Sequence, residues 1–134
     1  MTDLPTVLAV DDSNITHVLV KRALSDRYRV LFADSAVDAL AMLDREQVSL
    51  LLLDVVMPEV DGLEFCRTIR SLPQFGDLPV VMLTSLKDRF DQVQGRMAGA
   101  TEYLTKPFDA DYLRQVVSKF VDKAQLAEAV VPFS

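Results

Sequence analysis

The sequence contains very little cysteine and no long apolar run. Its single cysteine, Cys66, cannot form an internal disulfide. The N-terminus also lacks the basic start and apolar stretch that are typical of a secretion signal. No segment reaches the roughly 18 consecutive apolar residues that cross a bilayer. We therefore expect a cytoplasmic protein that has no contact with a membrane.

An excess of positive charge is absent as well. The 134 residues include 14 Lys and Arg against 20 Asp and Glu, which gives a net charge of −6. Such a chain is not attracted to phosphate, so we expect no direct nucleic acid binding by this chain. We find no internal repeat and no low-complexity tract. The length and the balanced composition predict one domain with a hydrophobic core.

Short apolar runs alternate with amphipathic segments along the whole chain. Five runs predict β-strands, at residues 7–10, 29–33, 50–53, 80–83 and 101–104. Helical spacing predicts buried stripes, at Ala36, Ala39, Leu40 and Leu43, at Gly62, Phe65, Cys66 and Ile69, and at Leu113, Val116, Val117 and Phe120. The predicted caps are Ser13 or Asn14, Ser35, and Asp109. The pattern predicts an α/β fold with a doubly wound parallel sheet and helices on both faces.

Polar side chains follow the predicted strands, where a doubly wound sheet binds its ligands. They are Asp11 and Asp12 after the first strand, Asp54 after the third, Thr84 and Ser85 after the fourth, and Lys106 after the fifth. Neighbouring carboxylates resist ionising together unless a cation joins them, and Mg²⁺ prefers hard oxygen ligands. The sequence therefore predicts a divalent metal site. Each residue alone also has an ordinary explanation, such as helix capping by the acid pair or a solvated turn at Lys106.

Four separated motifs resemble the receiver domain of response regulators in two-component signalling: VLAVDDS, LLLDVVMPEVDG, VMLTS and YLTKPF. The resemblance covers residues 7–120 and implies a CheY-like, flavodoxin-like sheet of five strands in the order 2-1-3-4-5. It divides the chain into a receiver domain at residues 1–123 and a helical extension or linker stub at residues 124–134. Apolar residues at helical spacing predict a last helix that continues to about residue 130. This extension could pack on its own domain, pair with a second copy or begin a linker.

The resemblance implies a role for each polar residue at the strand ends. Asp54 matches the phosphoryl acceptor. Asp12 and Asp54 would bind Mg²⁺ or Mn²⁺ together with the backbone carbonyl of Val56, and Asp11 would act largely through a metal-bound water. Thr84 would donate its hydroxyl to a phosphoryl oxygen.

Further expectations from the resemblance concern the fifth strand and the signal. Lys106 would neutralise charge in the transition state, and a cis peptide bond before Pro107 would aim it into the site. Thr84 and Tyr103 would form the switch, which reports to a surface at residues 87–119. Val56 and Leu86 flank the path of the hydrolytic water in the family. Because both are apolar here, we expect slow autodephosphorylation.

The expected function is a phosphoacceptor signalling module, not an enzyme that turns over. Its partners would be a sensor histidine kinase or a histidine phosphotransfer protein, and a downstream protein or fused output domain. A phosphorylation-dependent homodimer stays open. The rival is a Mg²⁺-dependent phosphatase of the haloacid dehalogenase type, which needs a second acid where this chain has Val56. We expect His17 to be exposed or to pack, and Cys66, Met82 and Met97 to fill the core.

Overall fold

A computed structural model describes residues 4–55, 61–84, 96 and 98–129, with side chains described as far as residue 122. Within these residues the elements are β1 Thr6–Val10, α1 Asn14–Leu24, β2 Arg29–Ala33, α2 Ala36–Arg45, β3 Leu50–Asp54, α3 Gly62–Ser71, a 3-10 turn Pro73–Phe75, β4 Val80–Thr84, β5 Glu102–Thr105 and α4 Ala110–Ala129. No helix of the described part of the chain is long and apolar enough to cross a membrane.

The five strands form one parallel sheet in the order β2-β1-β3-β4-β5, which confirms the predicted topology. The middle strands β1, β3 and β4 are buried along their whole length. Neighbours on opposite faces cover them, and this is why these strands are continuous apolar runs and do not alternate with polar residues. The order brings the carboxyl ends of β1, β3, β4 and β5 to one edge.

The core consists of one cluster on each face of the sheet, because successive strand side chains point in opposite directions. Leu51 and Leu53 of β3 join the cluster under α2 and α3. Leu50 and Leu52 join the cluster under α1 and α4. The strands thus separate the two groups of helices that the sequence pattern predicted.

The helix starts follow the predicted caps. The Ser13 hydroxyl accepts from the N–H of Thr16, so Ser13 and not Asn14 caps α1. Ser35 caps α2 in the same way. Asp109 accepts from the N–H of Asp111 at the start of α4. Each cap satisfies a backbone N–H that has no partner inside its helix.

Some details differ from the sequence-based expectations. Leu40, predicted to be buried, has 38% of its surface exposed. Because α2 packs at the β2 edge of the sheet, part of its apolar face extends beyond the strands. In addition, β5 spans Glu102–Thr105, one residue later than predicted. The last helix continues to Ala129, as the spacing indicated.

Some predictions concern residues outside the described part of the chain. These are the roles of Val56, Ser85, Leu86 and Met97, and the part of the proposed switch surface at residues 87–95. The division of the chain after residue 123 also stays a prediction.

Candidate functional site

The carboxyl edge of the sheet brings the predicted site residues together. Asp54 is the last residue of β3 and Thr84 the last residue of β4. Asp11 follows β1 directly, and Lys106 follows β5. Asp11 and Thr84 are fully buried, Asp54 is 6% exposed, and Asp12 is exposed. The site therefore has a buried part, formed by Asp11, Asp54 and Thr84, and an exposed part at Asp12.

Three aspartate carboxylates lie close together at this site. Asp11, Asp12 and Asp54 each offer a carboxylate oxygen, and these oxygens lie within 4.8 Å of one another. The ammonium nitrogen of Lys106 lies 2.7 Å from Oδ2 of Asp11 and 3.5 Å from Oδ2 of Asp54. Among the described residues, one cation contacts a group of three acidic side chains, which therefore carries more formal negative than positive charge. Its hard oxygen donors fit Mg²⁺ in both chemistry and spacing.

The backbone around Asp54 is held by β4 and by the start of α3. The N–H of Val55 donates to the carbonyl oxygen of Leu83 (3.2 Å), and the N–H of Gly62 donates to the carbonyl oxygen of Val55 (2.9 Å). A Cβ atom at Gly62 would lie 2.3 Å from the carbonyl oxygen of Asp54 and 2.7 Å from Cα of Val55. Glycine is thus required at position 62 by close approach.

Lys106 is placed by the end of β5. Its N–H donates to the carbonyl oxygen of Thr84 at 2.6 Å, which continues the pairing of β4 with β5 by one residue. The Lys106–Pro107 peptide bond is cis. The side chain reaches back over the sheet edge to Asp11 after β1 and to Asp54 at the end of β3.

Tyr103, the predicted switch residue, lies on β5 beside Met82 of β4. It is half-buried and packs against the cluster under α2 and α3, with its hydroxyl oxygen buried. The structure describes one conformation, so the switch role stays a prediction.

His17 contributes a contact that sequence reasoning missed. The expected packing role is confirmed, since its ring lies over Phe32. Its Nε2 also hydrogen-bonds to the carbonyl oxygen of Asp11. The only sequence feature related to this contact is that His17 lies one turn into α1, six residues after Asp11. That spacing is equally compatible with an exposed histidine, so it did not predict the contact.

The comparisons with known proteins agree with this geometry. A sequence profile of the response regulator receiver domain matches residues 7–129. The chain belongs to the receiver domain family. It is 43% identical over 108 residues to the response regulator MprA of Mycobacterium leprae, covering 80% of this chain and 46% of MprA. The match thus spans about half the length of MprA.

Solved receiver structures are also similar. A response regulator from Thermotoga maritima has a TM-score of 0.81 and 36% identity, covering 90% of this chain and 99% of that chain. The BeF₃-activated DrrB receiver domain has a TM-score of 0.82 and 31% identity, with the same coverage. This receiver is therefore a signalling module of two-component systems, and the family implies phosphorylation on an aspartate. The match to the receiver domain family decides against a phosphatase of the haloacid dehalogenase type.

Proposed function

We propose that this receiver accepts a phosphoryl group on Asp54 and thereby changes its binding to other proteins. The observation that carries the proposal is the position of Asp54 between a cation and further acids. Its carboxylate is close to Lys106 and to the oxygens of Asp11 and Asp12. Asp11 is fully buried, and its oxygens accept from Ser13 and Lys106. Asp12 is exposed and has no described cation beside it.

A divalent ion fits the same acids. Asp12 and Asp54 would bind Mg²⁺ or Mn²⁺ directly, together with the carbonyl of Val56, and Asp11 would act through water. The ion supplies positive charge that compensates the charge developing on the phosphoryl oxygens. The fit rests on three hard, acidic oxygen donors within 4.8 Å of one another.

The transfer is a substitution at phosphorus. A carboxylate oxygen of Asp54 forms the new P–O bond while the bond from phosphorus to the donor breaks. The donor, a phosphohistidine or a small acyl phosphate, keeps the electron pair of the broken bond. Lys106 stabilises negative charge on the phosphoryl oxygens as a fixed point charge, and Thr84 donates its hydroxyl to one of them.

The proposed partners follow from the chemistry and the family. A sensor histidine kinase or a histidine phosphotransfer protein supplies the phosphoryl group. A downstream protein or a fused output domain receives the signal, through Tyr103 and the surface at residues 87–119. A homodimer that depends on phosphorylation stays an alternative to such a partner. Location in the cytoplasm is a further prediction, consistent with the single cysteine.

Intact mass after incubation with acetyl phosphate and Mg²⁺ tests the acceptor. The native chain should gain about 80 Da, the mass of one phosphoryl group. Asp54→Ala should gain nothing. Asp61→Asn is the matched control, because Asp61 lies near Asp54 in sequence and its Oδ1 only caps α3. A gain that survives in Asp54→Ala, or no gain in the native chain, would contradict the proposal.

The lifetime of the phosphoryl group is proposed to be long. Val56 and Leu86 have apolar side chains that cannot orient water. Replacing Val56 by Asn and Leu86 by Glu should accelerate loss of the added mass once the donor is removed. An unchanged decay rate would show that these positions do not control hydrolysis. Repeated release of phosphate by the native chain would contradict the view that it is modified once per molecule.

A further inference from the structure

His17 connects the first turn of α1 to the loop that follows β1. Its Nε2 lies 2.5 Å from the carbonyl oxygen of Asp11. A carbonyl oxygen accepts and cannot donate, so Nε2 carries a proton and donates it here. The ring centroid lies 4.6 Å from that of Phe32 on β2, with 33° between the ring planes. The imidazole thus has two separate contacts, a hydrogen bond to the acid loop and apolar packing on the strand.

Every polar atom of Asp11 has a partner in another residue. Its N–H donates to the carbonyl oxygen of Ala33 at 3.0 Å. Oδ1 accepts from the N–H of Ser13 at 2.8 Å, and Oδ2 accepts from Lys106 at 2.7 Å. The fourth atom, the carbonyl oxygen, is the one that His17 contacts. The hydrogen bond from His17 therefore gives the last of the four polar atoms of Asp11 its partner.

Asp12 is held much less directly. It is exposed, and its side chain has no hydrogen bond or ion pair with any residue in the part of the chain that the structure describes. Its carboxylate nevertheless lies within 4.8 Å of those of Asp11 and Asp54. The peptide plane before Asp12 contains the carbonyl oxygen of Asp11. By holding that plane, His17 limits the directions in which the Asp12 side chain leaves the backbone.

We propose that His17 is a positioning residue for the metal site. Its hydrogen bond to the Asp11 carbonyl oxygen orients Asp12 so that the Asp12 carboxylate points toward the bound cation. The inference rests on the proposed function, since it takes Asp12 as a ligand of Mg²⁺. His17 itself touches neither the metal nor the phosphoryl group. Partners that orient a metal ligand typically contribute about tenfold or more in metal affinity.

Two substitutions separate the hydrogen bond from the ring packing. His17→Phe keeps an aromatic ring over Phe32 and removes the donor. His17→Gln removes the ring but places an amide N–H at the same number of bonds from Cα as Nε2. Mg²⁺ affinity is measured on the full 134-residue chain by following backbone amide resonances of the site during a titration with Mg²⁺ alone.

We expect the dissociation constant for Mg²⁺ to rise about tenfold in His17→Phe and to stay within about threefold of the native value in His17→Gln. Phe32→Leu is the control for packing, because it removes the ring contact and leaves the donor. It should lower the thermal unfolding temperature and leave Mg²⁺ affinity unchanged. If His17→Phe does not fold, His17→Leu serves as the variant without a donor.

The possible failures are distinguishable. Equal Mg²⁺ affinity in the native chain and in the variant without a donor would overturn the role of His17 and leave the metal site standing. Equal losses in His17→Phe and His17→Gln would also overturn it, because the N–H would then not be the feature that matters. A native chain that binds no Mg²⁺ would overturn the metal site, and the inference with it.

Discussion

Lys106 and Arg70 lie at opposite ends of the sheet, and both contact oxygen atoms, but the oxygens differ. At the carboxyl end, Lys106 contacts carboxylates, at 2.7 Å from Asp11 and 3.5 Å from Asp54. At the amino end, Arg70 donates from Nε to the backbone carbonyl oxygen of Gly99 at 2.8 Å. One cation has anionic partners and the other has neutral ones.

The partners of Arg70 belong to segments just before β4 and β5. Its Nη1 donates to the carbonyl oxygens of Phe75 and Gly76, at 2.9 Å and 3.3 Å. Its Nη2 contacts Oγ1 of Thr101 at 3.3 Å, and that oxygen also accepts from the N–H of Val80. Neutral carbonyl groups do not change charge when ions are added. The Arg70 network is therefore a fixed structural support.

The carboxyl end differs because its contacts are between charged groups. Within the described part of the chain, three carboxylates share one ammonium group there. Adding a divalent cation or a phosphoryl group changes the charge there and the contacts that depend on it. The contacts of Lys106 at the carboxyl end can thus change when charge is added, whereas the hydrogen bonds of Arg70 at the amino end stay the same.

The sharpest test of this contrast is Lys106→Met. If Lys106 stabilises the transition state as proposed, loss of its charge should slow phosphorylation by acetyl phosphate about a hundredfold. The rate is followed by intact mass in the presence of saturating Mg²⁺. A rate close to native would mean that Lys106 only balances the acids in the resting state.

Gly62→Ala should distort the carboxyl end through its backbone. The added Cβ would lie 2.3 Å from the carbonyl oxygen of Asp54, so the backbone at the proposed acceptor or at the start of α3 must shift. We expect a loss of about 2.5 kcal/mol in the free energy of unfolding, with slower phosphorylation. Gly76→Ala is the matched control at the amino end, since its nearest contact would be an ordinary 3.7 Å. It should stabilise the chain by about 0.5 kcal/mol. Equal effects in urea unfolding would contradict the close approach at Gly62.

Arg70→Met should affect stability without affecting the chemistry. Carbonyl oxygens at the amino end lose their charged donor, which should lower the free energy of unfolding by about 2 kcal/mol. The phosphorylation rate should stay within about twofold of native, because the two ends are separate. Urea unfolding and intact mass measure the two quantities. A large loss of rate would show that the amino end also controls the acceptor.

The smallest expected effect is a pH dependence at the amino end. Burial raises the pKa of Tyr28 above its ordinary value of 10.0, and the charge of Asp122 acts in the same direction, while a hydrogen bond with Ser118 lowers it. The neutral phenol is therefore favoured in the folded state. Its contribution to stability is complete below pH 10 and is lost as pH rises through the folded pKa. Tyr28→Phe should flatten the fall in unfolding free energy above that pH, and an unchanged slope would contradict this.

Much of the fold was predictable because the signals are local. The continuous apolar runs at β3 and β4 predicted buried parallel strands, and Ser35 and Asp109 predicted helix starts. Leu40 was not predictable in this way, since its exposure depends on where α2 crosses the sheet edge. Periodicity identifies an apolar face but does not specify how much of it the sheet covers.

Some features of the site were likewise predictable from the sequence and others were not. Its acids, hydroxyl and lysine were identified from their positions at strand ends and from the resemblance. The contacts of His17 were not, because a half-buried histidine on a helix has several possible neighbours. The sequence pattern placed Gly62 on a buried helical stripe, but its close approach to the carbonyl oxygen of Asp54 is a feature of the tertiary structure.

The sequence by itself determined the order of strands and helices and the residue types at each strand end, since hydrophobic period and capping act within a few residues. Only the tertiary structure decided that Lys106 contacts Asp11, which lies 95 residues away along the chain. It also decided that Arg70 holds the segment before β5 and that His17 holds the Asp11 carbonyl. Such contacts depend on how strands and helices pack, and no local pattern encodes the distance between them.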